Sequence, residues 1–225
     1  GLYSPQVDHS FRWGMGWFIV SEVFFFIAFF GALFYVRVFA IQWLGGSVGH
    51  ESTKQYLWPT FEAVWPLLKN PSAAVVGPKA VISPWGVPLL NTFLLIASSV
   101  TVTFAHHALL DNKRQLLNLM LSLTILLGLC FVSLQAYEYH DAYTVLKLTL
   151  ASGIYGTTFF VLTGFHCAHV TIGIIMLGTM LARCLKGHFE PNNHFAFEAT
   201  VWYWHFVDVV WLCLFVYVYV LPLRL

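Results

Sequence analysis

The run "GWFIVSEVFFFIAFFGALFYV" (16–36) is almost entirely hydrocarbon and aromatic ring, yet it carries one carboxyl group, that of Glu22. A lone charge at the centre of a bilayer costs about 3 kcal/mol or more, so a carboxyl there must be protonated or paired. Two later apolar runs carry further ionisable groups. His166 and His169 stand three apart in "YGTTFFVLTGFHCAHVTIG", and His205 and Asp208 three apart in "HFAFEATVWYWHFVDVVWL". On a helix, residues at i and i+3 share a face, as do Glu198, Trp202 and His205 at i, i+4 and i+7. Such groups serve two chemistries. Imidazole and carboxylate at helical spacing hold iron or zinc inside bundles; alternatively, they hydrogen-bond between helices and carry protons. A di-metal bundle repeats Glu-x-x-His on two helices, and no Glu-x-x-His occurs in this sequence. The proton-linked or structural reading is therefore the expectation, with a metal site as the alternative.

The elements that must position these residues are membrane spans. Of the 225 residues, 59% are hydrophobic, 18% aromatic and only 9% charged, and mean hydropathy is +0.74. A soluble domain carries about 25% charged residues to face water, so this is an integral membrane protein. A formal net charge of +1 gives no electrostatic footprint for nucleic acid. Cys130, Cys167, Cys184 and Cys213 all lie in apolar stretches with no CxxC pair, which reads as inert packing rather than disulfide or redox chemistry. Nothing resembles a secretory signal, and a start at Gly1 without Met fits a processed or partial chain.

About 20 apolar residues cross the hydrocarbon of a bilayer. Five stretches are long enough, at about 13–43, 89–110, 116–137, 153–184 and 197–221. The expected fold is thus all-α, a single polytopic helical bundle of five transmembrane helices. The turns after the second and fourth stretches, "DNKRQ" and "KGHFEPNNH", are short and polar. The long extramembrane loop at about 45–87 is rich in Pro and Trp; within it "PTFEAVWPLL" fits a short interfacial helix with Trp58 and Trp65 at headgroup level. Arg12, Lys113, Arg114, Arg183 and Lys186 fall on one side, which the positive-inside bias makes the inner one. Lys54, Lys69, Lys79, Lys147 and Arg224 fall on the other, mostly in the long loop, where charge orients weakly.

At 1.5 Å per helical residue, Glu22 lies about 15 Å beyond Arg12, and His205 and Asp208 lie about 10–15 Å beyond Glu198. His166 and His169 lie about 20–24 Å from the outer end of the fourth stretch. A shared polar layer in the middle and inner half of the bilayer is the expectation. His106 and His107 end the second stretch at the inner interface, where haem ligation is the less favoured alternative. Glu138 and His140 end the third at the outer interface. Gly128, Gly164, Gly173 and Gly178 fit close helix contacts, and Phe24, Phe25, Phe26, Phe29 and Phe30 a lipid-facing or packing surface. No nucleotide loop or nucleophile elbow is present.

Five segments together resemble cytochrome c oxidase subunit III, of the haem-copper oxidase assembly: "GWFIVSEVFFF" (16–26), "LLNTFLLIASSVTVTFAHHAL" (89–109), "LQAYEYHDA" (134–142), "YGTTFFVLTGFHCAHVTIG" (155–173) and "HFAFEATVWYWHFVDVVWL" (194–212). They stand in the family's order and touch every span. The resemblance implies an accessory subunit without haem or copper of its own, those cofactors residing in partner subunits. It implies packing on catalytic subunit I beside subunit II, retention of phospholipid, support of proton uptake, and membership of a larger respiratory supercomplex. Glu22 corresponds to the carboxylate of the family's "SEV" motif. His166, His169, His205 and Asp208 become its inner polar positions, with His106, His107, Glu198 and Trp202 as lipid or interface contacts. The family has seven helices, so these five correspond to its third to seventh, which fits a partial chain or a naturally short or split one. The quinol-oxidising relatives, with five helices, are the nearest alternative; a stand-alone metal-dependent membrane oxidase or a proton-relay transporter is a further one. The long loop is closer to the bacterial type, so the expected location is a bacterial inner membrane rather than a mitochondrial one.

Overall fold

The structure, a computed structural model, describes residues 4–47, 49–72, 74–189 and 194–223. Among these it is all helix and loop, without strands. Helix α1 spans Pro5–Tyr35 and runs on through a π-helical turn, Val36–Ala40, to Leu44. Helices α2 (Val87–Leu110), α3 (Arg114–Thr144), α4 (Ile154–Leu185) and α5 (Phe195–Leu214) follow, and α5 continues as a π-helical segment, Phe215–Val220. All five are long and apolar enough to cross a membrane.

Local chemistry sets the boundaries. Ser4 caps α1, its hydroxyl accepting from the Val7 N–H at 3.4 Å, and Pro5 opens the first turn, where its missing N–H is harmless. The first helix therefore begins well before Trp13, because this cap, the proline and Asp8 in the first turn favour a helix N-terminus there. Gly187, at φ +72°, ends α4: its N–H reaches Cys184 and that of His188 reaches Arg183, which satisfies the last carbonyls. Helix α3 extends past Tyr137 to Thr144 because nothing in "EYHDAYT" breaks it.

Helix α5 is the axis of the bundle, packing on α1, α2 and α4. Trp204 and Trp211 are fully buried. Trp204 fits where Gly128 of α3 and Gly173 of α4 leave room; a Cβ at either would stand 2.8 Å from its ring. Gly178, by contrast, faces open space, so the expectation of a close contact fails there. Each buried indole donates to α2: Trp204 Nε1 to Ser98 Oγ and Trp211 Nε1 to Thr92 Oγ1, both at 3.0 Å. In a bundle whose exterior is also apolar, small residues and such hydrogen bonds fix helix register.

The loop from Gly45 to Gly86 departs from expectation. Among its described residues the helical piece is the short stretch 51–57, which contains the π-helical turn Thr53–Leu57, and 59–68 forms no helix. Pro66 lacks the N–H that a helix interior needs. Phe61, Trp65 and Leu67 are instead buried against the outer end of the bundle, with Trp65 edge-on to Tyr155. Trp65 is thus a packing residue, not a headgroup anchor. The terminal Arg224 lies outside the described residues.

Candidate functional site

Glu22 of α1 and His169 of α4 meet between their helices, Oε2 to Nε2 at 2.8 Å, with only 22% and 14% of their side chains exposed. The rings of Phe25, Phe26 and Tyr203 surround the imidazole. His169 Nδ1 lies 2.7 Å from the Phe165 carbonyl oxygen. That oxygen can only accept, so Nδ1 carries hydrogen and donates. In the neutral ring, Nε2 is then an acceptor. A carboxylate facing an acceptor would repel it, so one proton lies between Oε2 and Nε2 whichever atom holds it. The pair is neutral overall, and this removes most of the cost of placing a carboxyl group at this depth.

The other polar positions take their side-chain hydrogen bonds elsewhere than this pair. His166 is fully buried, and its Nε2–H donates to the Val207 carbonyl at 3.1 Å, with Phe131 and Trp211 against its ring. It acts as a core hydrogen bond between α4 and α5. His205 and Asp208 face α2 instead. Asp208 Oδ2 accepts from Ser99 Oγ at 2.7 Å, and Ser99 Oγ is 3.2 Å from His205 Nδ1. At the inner rim Glu198 pairs with Arg12 at 2.7 Å, and Arg12 also meets Asp8 at 3.1 Å and covers the Phe195 ring. This ties the start of α1 to the start of α5. Trp202 stands edge-on to Phe195 in the same corner. His106 is half-buried beside His194 and Phe197, whereas His107 is exposed.

Glu138 is a correction. Expected at the interface, it is 5% exposed. Tyr219 Oη donates to its Oε1 at 2.7 Å and Gln135 Nε2 to the same oxygen at 3.3 Å, while Asn91 Nδ2 donates to Gln135 Oε1 at 3.4 Å. Length alone placed it at the end of a span, but the tail of the last helix brings Tyr219 over it. His140, two residues beyond Glu138 and so on a different face of α3, is exposed.

Among the described residues, no three His, Cys, Asp or Glu side chains converge to hold a metal ion. His169 Nδ1, His166 Nε2 and His169 Nε2 meet two carbonyls and a carboxyl group, while His166 Nδ1 is buried without a partner among the described residues. Sequence reasoning missed Ser99, Gln135, Asn91 and Tyr219. Only the i, i+4 spacing of Ser99 and Thr103, or of Asn91 and Leu95 on a buried face, hinted at them, and short polar residues are common in apolar helices.

Residues 1–222 match the family model for cytochrome c oxidase subunit III. The chain belongs to that family. It is 46% identical over 219 residues to a protein named cytochrome c oxidase subunit 3 from Polypterus ornatipinnis, an alignment covering 97% of this chain and 72% of that one. Proteins of the same name from Scyliorhinus canicula, at 46%, and Cyprinus carpio, at 45%, align over the same shares.

Proposed function

We propose that this chain is a non-redox accessory subunit of a proton-pumping cytochrome c oxidase. The match of the whole chain to the subunit III family carries this reading. Haem and copper belong to partner subunits, and this chain has no catalytic centre of its own. Its work is to cover and stabilise catalytic subunit I in the neighbourhood of subunit II, to retain phospholipid, and to support proton uptake while oxygen is reduced to water. The bacterial inner membrane is the proposed location, and a larger respiratory supercomplex the proposed setting.

Three features support the division of labour. Large apolar side chains along the outside of α1, among them Trp13, Trp17, Phe24, Ile27 and Phe34, are exposed and offer a face for lipid or neighbouring helices. A groove of about 630 Å³ between α1 and the last helix is lined by Ile27, Phe30, Phe34, Tyr217 and Arg37. Apolar walls ending at a guanidinium suit an acyl chain with an anionic headgroup. The Glu22–His169 pair holds one proton at mid-depth without a net charge, which suits a proton-linked role that needs no metal.

Purification through a tag on this chain in mild detergent, with mass spectrometry and a haem spectrum, tests the reading. Co-purification of large haem-copper subunits is the expected result, and their identity separates cytochrome c from quinol oxidation. Metal bound stoichiometrically to the isolated chain would overturn it. Within the complex, Glu22→Gln should leave assembly intact and change turnover durability or proton uptake.

A further inference from the structure

The Glu22–His169 pair leaves a second polar unit unexplained. Ser99 and Thr103, one turn apart on α2, face His205 and Asp208, one turn apart on α5. Four contacts connect them: Ser99 Oγ to Asp208 Oδ2 at 2.7 Å, His205 Nδ1 to Ser99 Oγ at 3.2 Å, His205 Nε2 to Thr103 Oγ1 at 3.3 Å, and Thr103 Oγ1 to the Ser99 carbonyl at 2.8 Å.

Counting hydrogens constrains this unit. Thr103 has one hydroxyl hydrogen, and the short contact to a carbonyl, which can only accept, consumes it. Its lone pairs then face His205 Nε2, which must donate. Ser99 also has one hydrogen. If it goes to Asp208, Ser99 Oγ must accept from His205 Nδ1; the ring is then doubly protonated and Asp208 is a carboxylate. If Asp208 holds the proton and donates to Ser99, the Ser99 hydrogen goes to Nδ1, and both end groups are neutral. The two arrangements differ only by a concerted shift of two hydrogens through one oxygen.

We infer that Ser99 joins His205 and Asp208 into a proton relay between α2 and α5, separate from the Glu22–His169 pair. In the forward step, the N–H bond at His205 Nδ1 breaks as an O–H bond forms at Ser99 Oγ, while the original Ser99 O–H bond breaks and an O–H bond forms at Asp208 Oδ2. Total charge stays zero and no other reactant takes part. The relay runs from His205, about 10 Å beyond Glu198, to Asp208, about 15 Å beyond it. It ends at Asp208 Oδ1, which is buried and has no hydrogen-bond partner among the described residues. The other ionisable groups acting on it are few: His205 and Asp208 face each other, and His106 on α2 stands towards the inner end. Glu198 is committed to Arg12. The relay lies wholly within this chain and is the same whichever oxidase the chain serves.

The test uses the full chain in its detergent-purified complex. The pH midpoint of the His205 imidazole is followed by infrared difference spectroscopy with ring-labelled histidine, its bands assigned with His205→Gln. Asp208→Asn is then introduced in three backgrounds. With Ser99 present, the substitution should displace the His205 midpoint. In Ser99→Ala the displacement should fall severalfold, and in Ser99→Thr, which keeps a hydroxyl group, it should return. Ser99→Gly removes the same hydroxyl with less bulk and replaces the alanine variant should that one fail to fold. An equal displacement with and without the hydroxyl would mean that His205 and Asp208 interact only through space, and would overturn the relay.

Discussion

Removing both members of the Glu22–His169 pair should cost much less than the two single removals added together. His169→Leu leaves a carboxyl group among Phe25, Phe26 and Tyr203 with no partner; breaking a buried pair this way costs about 3 kcal/mol. Glu22→Leu leaves His169 Nε2 unpaired, at about 1–2 kcal/mol, because the ring keeps its Nδ1–H bond to Phe165. The double variant has no orphaned group and should lose about 2 kcal/mol, so the coupling between the two positions is about 2–3 kcal/mol. Glu22→Gln is the control for the proton count. Its amide N–H can donate to Nε2, so it should cost under about 1 kcal/mol. The assay is unfolding in mixed detergent micelles followed by tryptophan fluorescence, with all four variants and the parent in one double-mutant cycle. Additive single effects, with coupling below about 0.5 kcal/mol, would show that the contact is not a proton-sharing pair. A Glu22→Gln as damaging as Glu22→Leu would refute the donor assignment.

Other perturbations follow from packing and surface charge. Gly128→Ala and Gly173→Ala each place a methyl group 2.8 Å from the Trp204 ring and should destabilise by about 1–3 kcal/mol in the same unfolding assay. Gly178→Ala, in open space, should be neutral or stabilising by up to about 1 kcal/mol. Glu198→Gln removes the Arg12 ion pair at the partly exposed inner rim; the loss should be about 0.5–1 kcal/mol and shrink as salt is added. In the turn between α2 and α3, the ammonium of Lys113, 2.9 Å away, holds the Asp111 carboxyl below its ordinary value. That contribution is present at neutral pH and is lost as pH falls through the folded-state value, so Asp111→Asn should flatten the acid limb of a stability–pH curve.

The spans were legible because hydrocarbon thickness imposes a length that periodicity need not supply. The ends were less so. Helix α1 begins at Pro5 because a cap and a proline start it in a polar region, where hydropathy is silent. Counting residues places Glu22, His166, His169, His205 and Asp208 along their own spans, but it does not supply their partners. Helical phase relates faces within one helix, and neighbours depend on how the bundle closes around Trp204 and Trp211. That is why these groups divide among a pair on α1 and α4, a core histidine, and a unit on α2 and α5. Glu138 was misplaced for a related reason: span length locates a residue along its helix, whereas its burial depends on the tail of the last helix, which brings Tyr219 against it.

The three deeply placed acids show a common solution. Glu22 faces an imidazole, Asp208 reaches an imidazole through a hydroxyl, and Glu138 is held by a phenol and an amide. None has a Lys or Arg partner among the described residues, whereas the guanidinium-paired acids, Asp8 and Glu198, stand at the inner rim. A permanent cation would have to be desolvated along with its acid, at a cost of several kcal/mol per ion in apolar surroundings. Imidazole avoids this because the proton can sit on either partner, so the pair need never separate charge. Hydroxyl, phenol and amide groups avoid it by carrying no charge at all. The same choice that makes these sites inexpensive to bury also leaves their protons mobile. A bundle built this way can sit against an apolar neighbour and still exchange protons internally, which Lys–Glu pairing at the same depths would forbid.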